Sequence, residues 1–529
     1  MSKVFPSQRP RAVAGRLPAF MAAPDNKQKV APVGDLLPFR MALLLLGLLG
    51  WLHPGLAPAQ DIVWSASQLR TYADLQTLRL PAPTPPGEPG NGVAIFLADY
   101  ADMLMLTTSD DDRLFASLSR REDDRIRQLS ALDERSPWQR VLQAEVRLHW
   151  AFCKLKFGKE LSASWDVIRA YRLLTENQQL FPAFTPTYKS LGTLQIMIGS
   201  VPDAYAWVAR LLGLRGSIAQ GQQLLLRARQ DPVFGLEARL IDLMIRAYVL
   251  SFGESDERAL QQLVADHPDN LLLHFFGATI AQKNGHGEQA LTYLSRRPTG
   301  PAYRPLPIVD NILGDIYLQK GQYATADACF GRFLANYRGQ NFLKDSYYKR
   351  FLCHWLAGQP DSAGRPLLAR VLQTGRTTVE SDKAAQRFAE GYLKRGPTPN
   401  QALLMRARLA CDGGFTDQAL GYLRPYSEAR FSGLPEQAEF NYRMGRIQQR
   451  RNAPDAAIPY FVRALALSDA YDGAPLSFGA TSALQLGYIY KQKNDRTRAR
   501  SFFERALAQK NHEYKNSIDN KARAGLSGL

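Results

Sequence analysis

The chain has 529 residues, 45% hydrophobic and 22% charged, which is the composition of a globular protein with a large core and excludes a disordered chain. Its formal charge of +17 comes from 66 Lys+Arg against 49 Asp+Glu. The basic residues are mostly Arg scattered among Asp and Glu, with no Lys-rich tail and no nucleic-acid module signature, so nucleic acid is not an expected partner.

The first forty residues are Pro-rich and patternless, and Met1, Met21 and Met41 all stand as candidate starts. Arg40 is followed by an apolar run, Ala42 to Leu52, then a Pro/Gly break and Ala57-Pro58-Ala59. This order predicts a signal peptide over 41–59, cleaved near Ala59, within a targeting region 1–59. The run falls short of the ~20 residues of a membrane span; an uncleaved anchor or a core helix is the alternative. No Cys follows it, so no lipid anchor is expected. The mature chain is thus read as exported, in the periplasm or envelope, with any peripheral membrane association made through partners.

A first helix and the Pro/Gly linker "PAPTPPGEPGNG" (81–92) occupy 60–92, the linker setting that helix apart from the body. Helical period then runs through "VLQAEVRLHWAFCKL" (141–155), "SWDVIRAYRLL" (164–174) and "EARLIDLMIRAYVL" (237–250). Asp110, Asp111 and Asp112 read as helix-start caps. Glu122, Asp123 and Asp124 among Arg120, Arg121, Arg125 and Arg127 read as a solvated charged helix. In 189–225 the glycines Gly213 and Gly216 read as helix C-caps and close-packing points, since neither Gly-Lys-Ser/Thr nor a preceding strand supports a phosphate loop. "RRPTGPAYRPLP" (296–307) divides an N-terminal half, 93–300, from a C-terminal half, 301–512, and 513–529 reads as a tail.

The C-terminal half restates one pattern. From Leu313 it reads Leu-Gly, Tyr317, Gly321, Tyr323, Ala326 and Phe330. From Leu486 it reads Leu-Gly, Tyr490, Ala499, Phe503 and Ala506. From Met444 it reads Met-Gly, Ala457, Phe461 and Ala464, and a weaker copy holds Ala407, Ala410, Gly414, Ala419 and Leu423. The segment 272–294 fits with one inserted residue. These spacings resemble the tetratricopeptide repeat, a 34-residue helix–turn–helix unit, over about 301–510 and in part over 140–300. The middle segment 189–225 is similar to that of tetratricopeptide proteins of the inclusion-body-clearance type. The resemblance implies an all-α, tetratricopeptide-type α-solenoid of stacked antiparallel helical hairpins, and a repeat scaffold rather than an enzyme. Small residues let helix axes approach to about 8 Å; Gly314 and Ala326 are expected to face each other, with Tyr317 and Phe330 filling the space beside them.

Chemistry-bearing patterns are sparse. None of the seven His stands in a metal-ligand spacing, and His267 and His274 read as turn and core residues. No Gly-x-Ser-x-Gly elbow occurs. Cys153, Cys329, Cys353 and Cys411 are too far apart for a metal knuckle or redox pair; Cys329 and Cys353 could meet across helices, or remain buried thiols. The sequence predicts no catalytic, cofactor-binding or metal-ligating residue. In repeats of this type the first helix of each hairpin lines the concave face. There the candidates for partner contact are Asn311 and Asp315, then Tyr442, Arg443, Arg446, Gln449 and Arg450, then Tyr488 and Lys491. Arg443, Arg446 and Arg450 share one helix face and suit an acidic or carboxylate-ended protein or peptide; a merely solvated basic face is the alternative. The expected role is an exported, non-enzymatic protein-binding scaffold. The second reading is an envelope glycan-binding or glycan-processing protein, whose mark would be exposed Trp; Trp138, Trp150, Trp165, Trp207 and Trp355 read as core.

Overall fold

The computed structural model describes residues 62–80, 91–201, 207, 210–398, 400–512 and 514–529. The expected signal peptide and most of the 81–92 linker lie outside them. Among the described residues the chain consists of helices and turns, with one isolated bridge between Arg79 and Tyr303. Before the Pro-rich break come α1 (Ala66–Gln76), α2 (Gly92–Ser109), α3 (Asp112–Leu118), α4 (Arg121–Ser130), α5 (Pro137–Lys156), α6 (Glu160–Leu180), α7 (Thr187–Gly199), α8 (Ile218–Ala228), α9 (Gly235–Tyr248), α10 (Glu254–Asp266), α11 (Leu271–Lys283) and α12 (Gly287–Ser295). After it come α13 (Ile308–Gln319), α14 (Tyr323–Asn336), α15 (Leu343–Leu356), α16 (Asp361–Gln373), α17 (Glu380–Arg395), α18 (Gln401–Asp412), α19 (Thr416–Leu423), α20 (Gly433–Arg450), α21 (Pro454–Asp469), α22 (Ser477–Gln492), α23 (Arg496–Ala508) and α24 (Lys515–Ser527). Successive helices pair as hairpins, from α5/α6 through α22/α23; α17 packs on α15 and α16, and α24 closes the last pair. This is an all-α solenoid of the tetratricopeptide type.

One turn is repeated throughout. Gly285, Gly321, Gly358 and Gly414 take positive φ between two paired helices, and Asn452 and Asn494 take the same conformation in the last two hairpins. After each, the next backbone N–H reaches five residues back: His286 to Ala281, Gln322 to Tyr317, Gln359 to His354, Phe415 to Ala410, Ala453 to Gln448 and Asp495 to Tyr490. This left-handed cap satisfies carbonyls stranded at the helix end. Gly and Asn hold the position because they enter that region at least cost.

The turn sets the register of the contact between the helices. A Cβ on Gly314 would lie 2.7 Å from the Phe330 ring, one on Gly445 2.8 Å from Phe461, and one on Gly487 2.5 Å from Phe503. In these three hairpins the left-handed residue lies seven positions after the glycine and nine before the phenylalanine. The hairpin with the inserted residue keeps the contact, Gly277 against Tyr293. Gly314 makes room for the ring of Phe330, expected beside it, and Ala326 is buried in the same hairpin. In the middle segment backbones also close on each other, Gly192 on Gly221 and Gly199 on Gly216, while Gly213 takes positive φ.

The N-terminal helix is part of the body. Tyr72 and Leu75 of α1 are buried with Phe96, Tyr100 and Phe234. Its exit strand is strapped to the Pro-rich break, Leu80 N donating to Ala302 O at 2.9 Å and Arg304 N to Leu78 O at 2.8 Å. Residues 513–529 include α24, which buries Ile518 and Ala522 and places Gly525 on the Phe503 ring. Asp111 caps α3 through Arg113 N and Leu114 N, but its neighbours reach farther: buried Asp110 accepts from Tyr337 and Asn341, and Asp112 pairs with Arg376 at 2.7 Å.

Replacing Gly445 with Ala is expected to destabilise the protein by roughly 1–3 kcal/mol through overpacking. Phe461→Leu added to it should recover part of the loss. Strictly additive losses in denaturant unfolding of the double variant would break the assigned contact.

Candidate functional site

Two clusters of charge stand out. The first lies within the N-terminal half and is buried. Asp99 of α2 accepts from Arg125 at 2.8 Å, His149 Nδ1 at 2.8 Å and Trp150 Nε1 at 2.9 Å. Asp102, one turn on, takes Arg125 at 2.6 Å and Arg121 at 3.0 Å. Lys154 bridges Glu122 and Asp166, both at 2.6 Å, and Lys189 bridges Glu145 at 2.8 Å and Glu237 at 2.9 Å. The Tyr72 hydroxyl donates to Glu237 at 2.6 Å. Glu122 and Arg125 are therefore buried, not solvated as their helix alone suggests, because α4 lays that face against α2 and α5. Burial works against a charged Lys189, but Glu145 and Glu237 outweigh it and hold the ammonium above its ordinary value. Burial likewise opposes ionised Glu237, whose carboxyl is nonetheless held low by Lys189 and Tyr72. Every charge here has a partner within the fold, so the cluster specifies packing between α1, α2, α4, α5, α6, α7 and α9.

The second cluster is open. A basin of about 720 Å³ is lined by α13, α15, α17 and α18 and reached by Tyr514. Its floor is apolar and aromatic: Leu318, Tyr348, Leu352, Phe388, Met405 and Leu409. Its charges are Asp315, Asp345, Lys349, Arg387, Arg408 and Asp412. Lys349 bridges Asp315 and Asp345, both at 2.6 Å, and Arg408 lies 3.6 Å from Asp412. Burial raises the Asp315 carboxyl despite the nearby Lys349 ammonium, and burial pushes the Tyr348 phenol up to about 12. The basin thus mixes both signs of charge with aromatic surface, a combination suited to gripping backbone and side chains together.

Of the residues singled out from sequence, Asp315 lines this basin. Asn311 is buried beside it and donates to Ser346 Oγ at 2.8 Å. The α20 group lies farther along the first-helix face: Arg408 of the basin feels Glu439, and Glu439 pairs with Arg443 at 2.8 Å. Arg443 stacks over Tyr442 and Phe478. Arg446 donates to Gln449 at 2.6 Å and to Gln485 at 3.1 Å. Arg450 donates to the Asn284 carbonyl at 2.7 Å, bridging distant turns. Tyr488 and Lys491 reach the C-terminal helix, at Lys521 O and Gly525 O. Lys349, Arg387 and Arg408 were not found from sequence.

Among the described residues no group of three or more His, Cys, Asp or Glu is placed to hold a metal ion. All four cysteines are free and buried, and burial pushes the Cys153 thiol up to about 12, away from the nucleophilic thiolate. Trp150 is buried, and Trp138 and Trp355 pack among aromatic rings. Trp165 and Trp207 depart from the expected core placement: they are 55% and 59% exposed. Trp165 lies one turn from the likewise exposed Leu161 on α6.

Residues 480–512, which span most of α22 and α23, match the model of the tetratricopeptide repeat family. No curated protein matches the chain. Among solved structures, the chain is similar to the TPR domain of P58(IPK), at 15% identity and a TM-score of 0.20, covering 79% of this chain and 95% of that one. It is similar to the human IFIT1 dimer with PPP-AAAA at 12% identity and a TM-score of 0.26, covering 84% and 95%. A chain of the APC/C hetero-tetramer Cut9-Hcn1 aligns at 14% identity and a TM-score of 0.22, covering 83% of this chain and 84% of that one.

Burial pushes the Glu122 carboxyl up to about 7, against the hydrogen bond from Lys154 and with help from Asp166. Its folded value lies above its unfolded one, so folding favours the protonated form. The contribution is complete below the ordinary value of 4.5 and is lost as pH rises through about 7. Glu122→Gln should therefore show a smaller fall in melting temperature than the parent between about pH 5 and pH 8. Parallel melting curves across that window would contradict this assignment.

Proposed function

We propose that this tetratricopeptide repeat protein is an exported, non-enzymatic scaffold that binds a segment of another envelope protein across the first-helix face of its C-terminal half. Repeat arrays of this kind present extended concave surfaces. The observation that carries the reading is the α13–α15–α17–α18 basin, where Tyr348, Phe388 and Met405 stand beside Lys349, Arg387 and Arg408. Tyr and Phe supply rigid contact area, and Arg supplies directional donors for carboxylates and backbone carbonyls. The α20 stripe of Tyr442, Arg443, Arg446 and Gln449 extends the face toward an acidic stretch of the same partner. Export, the envelope setting and the acidic partner follow from the sequence reading of 41–59 and of this stripe.

The exposure of Trp165 and Trp207 favours a second reading, an envelope glycan-binding surface on the N-terminal half. Sedimentation with insoluble envelope glycan separates the two: this reading requires retention that Trp165→Ala and Trp207→Ala abolish.

The principal test is a photo-crosslinking residue placed at Phe388 in intact cells. A discrete set of envelope proteins should be captured there and not from the exposed Leu161 on α6. The double variant Arg387→Glu/Arg408→Glu should lose at least tenfold of that capture with an unchanged melting temperature. Capture that persists in the double variant would rule the basin out.

A further inference from the structure

A smaller cavity of about 350 Å³ lies where the N-terminal strap meets the Pro-rich break, between Leu80, the 297–306 segment and the first turn of α13. Its walls are apolar at Leu271, Leu306 and Val309, and Tyr303, Arg297, Arg304 and Asp310 bring polar groups to it. The neighbouring charges are settled. Arg79 pairs with Asp269 at 2.9 Å and stacks on Tyr303. Asp310 is held by Arg332 at 2.9 Å. Among the described residues, no carboxylate pairs with Arg297 or Arg304; Arg297 donates to the Leu294 carbonyl.

Arg304 is half-buried, and burial alone draws its guanidinium below its ordinary value, with no acid opposing the shift. A partly desolvated cation without a counter-charge is unfavourable. Its position is also imposed: the Arg304 backbone N–H is tied to Leu78 O at 2.8 Å, and Pro305 beside it restricts the backbone. The arginine is therefore held at a cavity whose one lining carboxylate, Asp310, is already paired with Arg332, and among the described residues no anion pairs with the arginine.

We propose that this cavity binds the carboxylate end of an apolar molecule, with the carboxylate on Arg304 and Arg297 and the apolar part against Leu306, Val309 and Leu271. Two sources share that chemistry, the C-terminal residue of a polypeptide and a fatty acid. The site is separate from the basin and does not depend on the basin's role.

The test is calorimetric titration of the full-length chain with N-acetyl-leucine, octanoate and N-acetyl-leucinamide. At least one of the two carboxylates should bind saturably at one site, and the uncharged amide should not. Tighter octanoate assigns the fatty-acid source, and tighter N-acetyl-leucine the polypeptide source. Arg304→Met should weaken the carboxylate at least tenfold, while Arg500→Met, at an exposed position of α23, should not change it. Arg297→Met supplies the same comparison should Arg304→Met fail to fold. Equal binding of the amide, undiminished binding to both Met variants, or no saturable binding of either carboxylate overturns the proposal.

Discussion

The contact between a glycine on the first helix and an aromatic ring on the second is the constraint on which the repeat array depends. A side chain at Gly314, Gly445 or Gly487 would enter the space of Phe330, Phe461 or Phe503. Close-packed interiors do not absorb that volume without displacement. The left-handed turn between the helices is the other half of the device. It fixes how far the chain travels before reversing, and so which residue of the second helix meets the glycine. Gly321, Asn452 and Asn494 occupy equivalent places, and the ring follows at a constant interval. Where an extra residue enters before Gly285, Tyr293 replaces the phenylalanine and still covers Gly277.

Because those rings are spent inside the hairpins, the side chains on the opposite face of the first helices need not pack. Asp315, Lys349 and Arg408 are therefore available to a basin rather than to the core. Their pairing with one another does not close the site. The Arg408–Asp412 pair is exposed, and such pairs contribute about 0–1 kcal/mol each, so an incoming carboxylate or carbonyl can exchange for Asp412 at small cost. The N-terminal half distributes charge in the opposite way. Asp99, Arg125, Lys189 and Glu237 are enclosed and mutually satisfied, and removing one member of such a pair leaves a buried charge at about 3–5 kcal/mol. The same residue types thus face an open basin in one half and specify packing in the other.

The repeat is legible in the sequence because its parts are local: a glycine, a Gly or Asn turn and a ring, all within seventeen residues of chain. The basin is less so. In the α15/α16 hairpin the arrangement is reversed, with Phe351 on the first helix and Gly364 on the second, where a Cβ would lie 2.9 Å from the ring. That hairpin lacks the Leu-Gly signature, so no repeat pattern marks Lys349, and α17 is an additional helix that carries Arg387 outside the repeat pattern. The buried ion cluster was illegible for another reason. Within α4, Glu122 and Arg125 look like neighbours on a wet helix; only Asp99 and Asp102, some twenty residues earlier, reveal which face is covered. Their own helix is apolar at Phe96, Leu97 and Leu104, and the two acids among those residues are the one available sign.

Long-range ties hold the basin walls in place. The loop leading into α15 is clamped by Asp110, at the end of α2, through Tyr337 and Asn341, and Asp112 grips Arg376 just before α17. On the other side, Gly287 N donates to Gly413 O at 3.0 Å, joining the α11/α12 turn to the end of α18, and Arg450 reaches Asn284. A helix displaced in the basin would have to break one of these ties, each made to a segment more than a hundred residues away in sequence. Surfaces already ordered before binding avoid the cost of immobilising loops and side chains, about 0.5–1.5 kcal/mol for each flexible side chain. Ordering is left to the ligand, which is the condition under which a rigid groove selects an extended protein segment over a folded face that must match it everywhere.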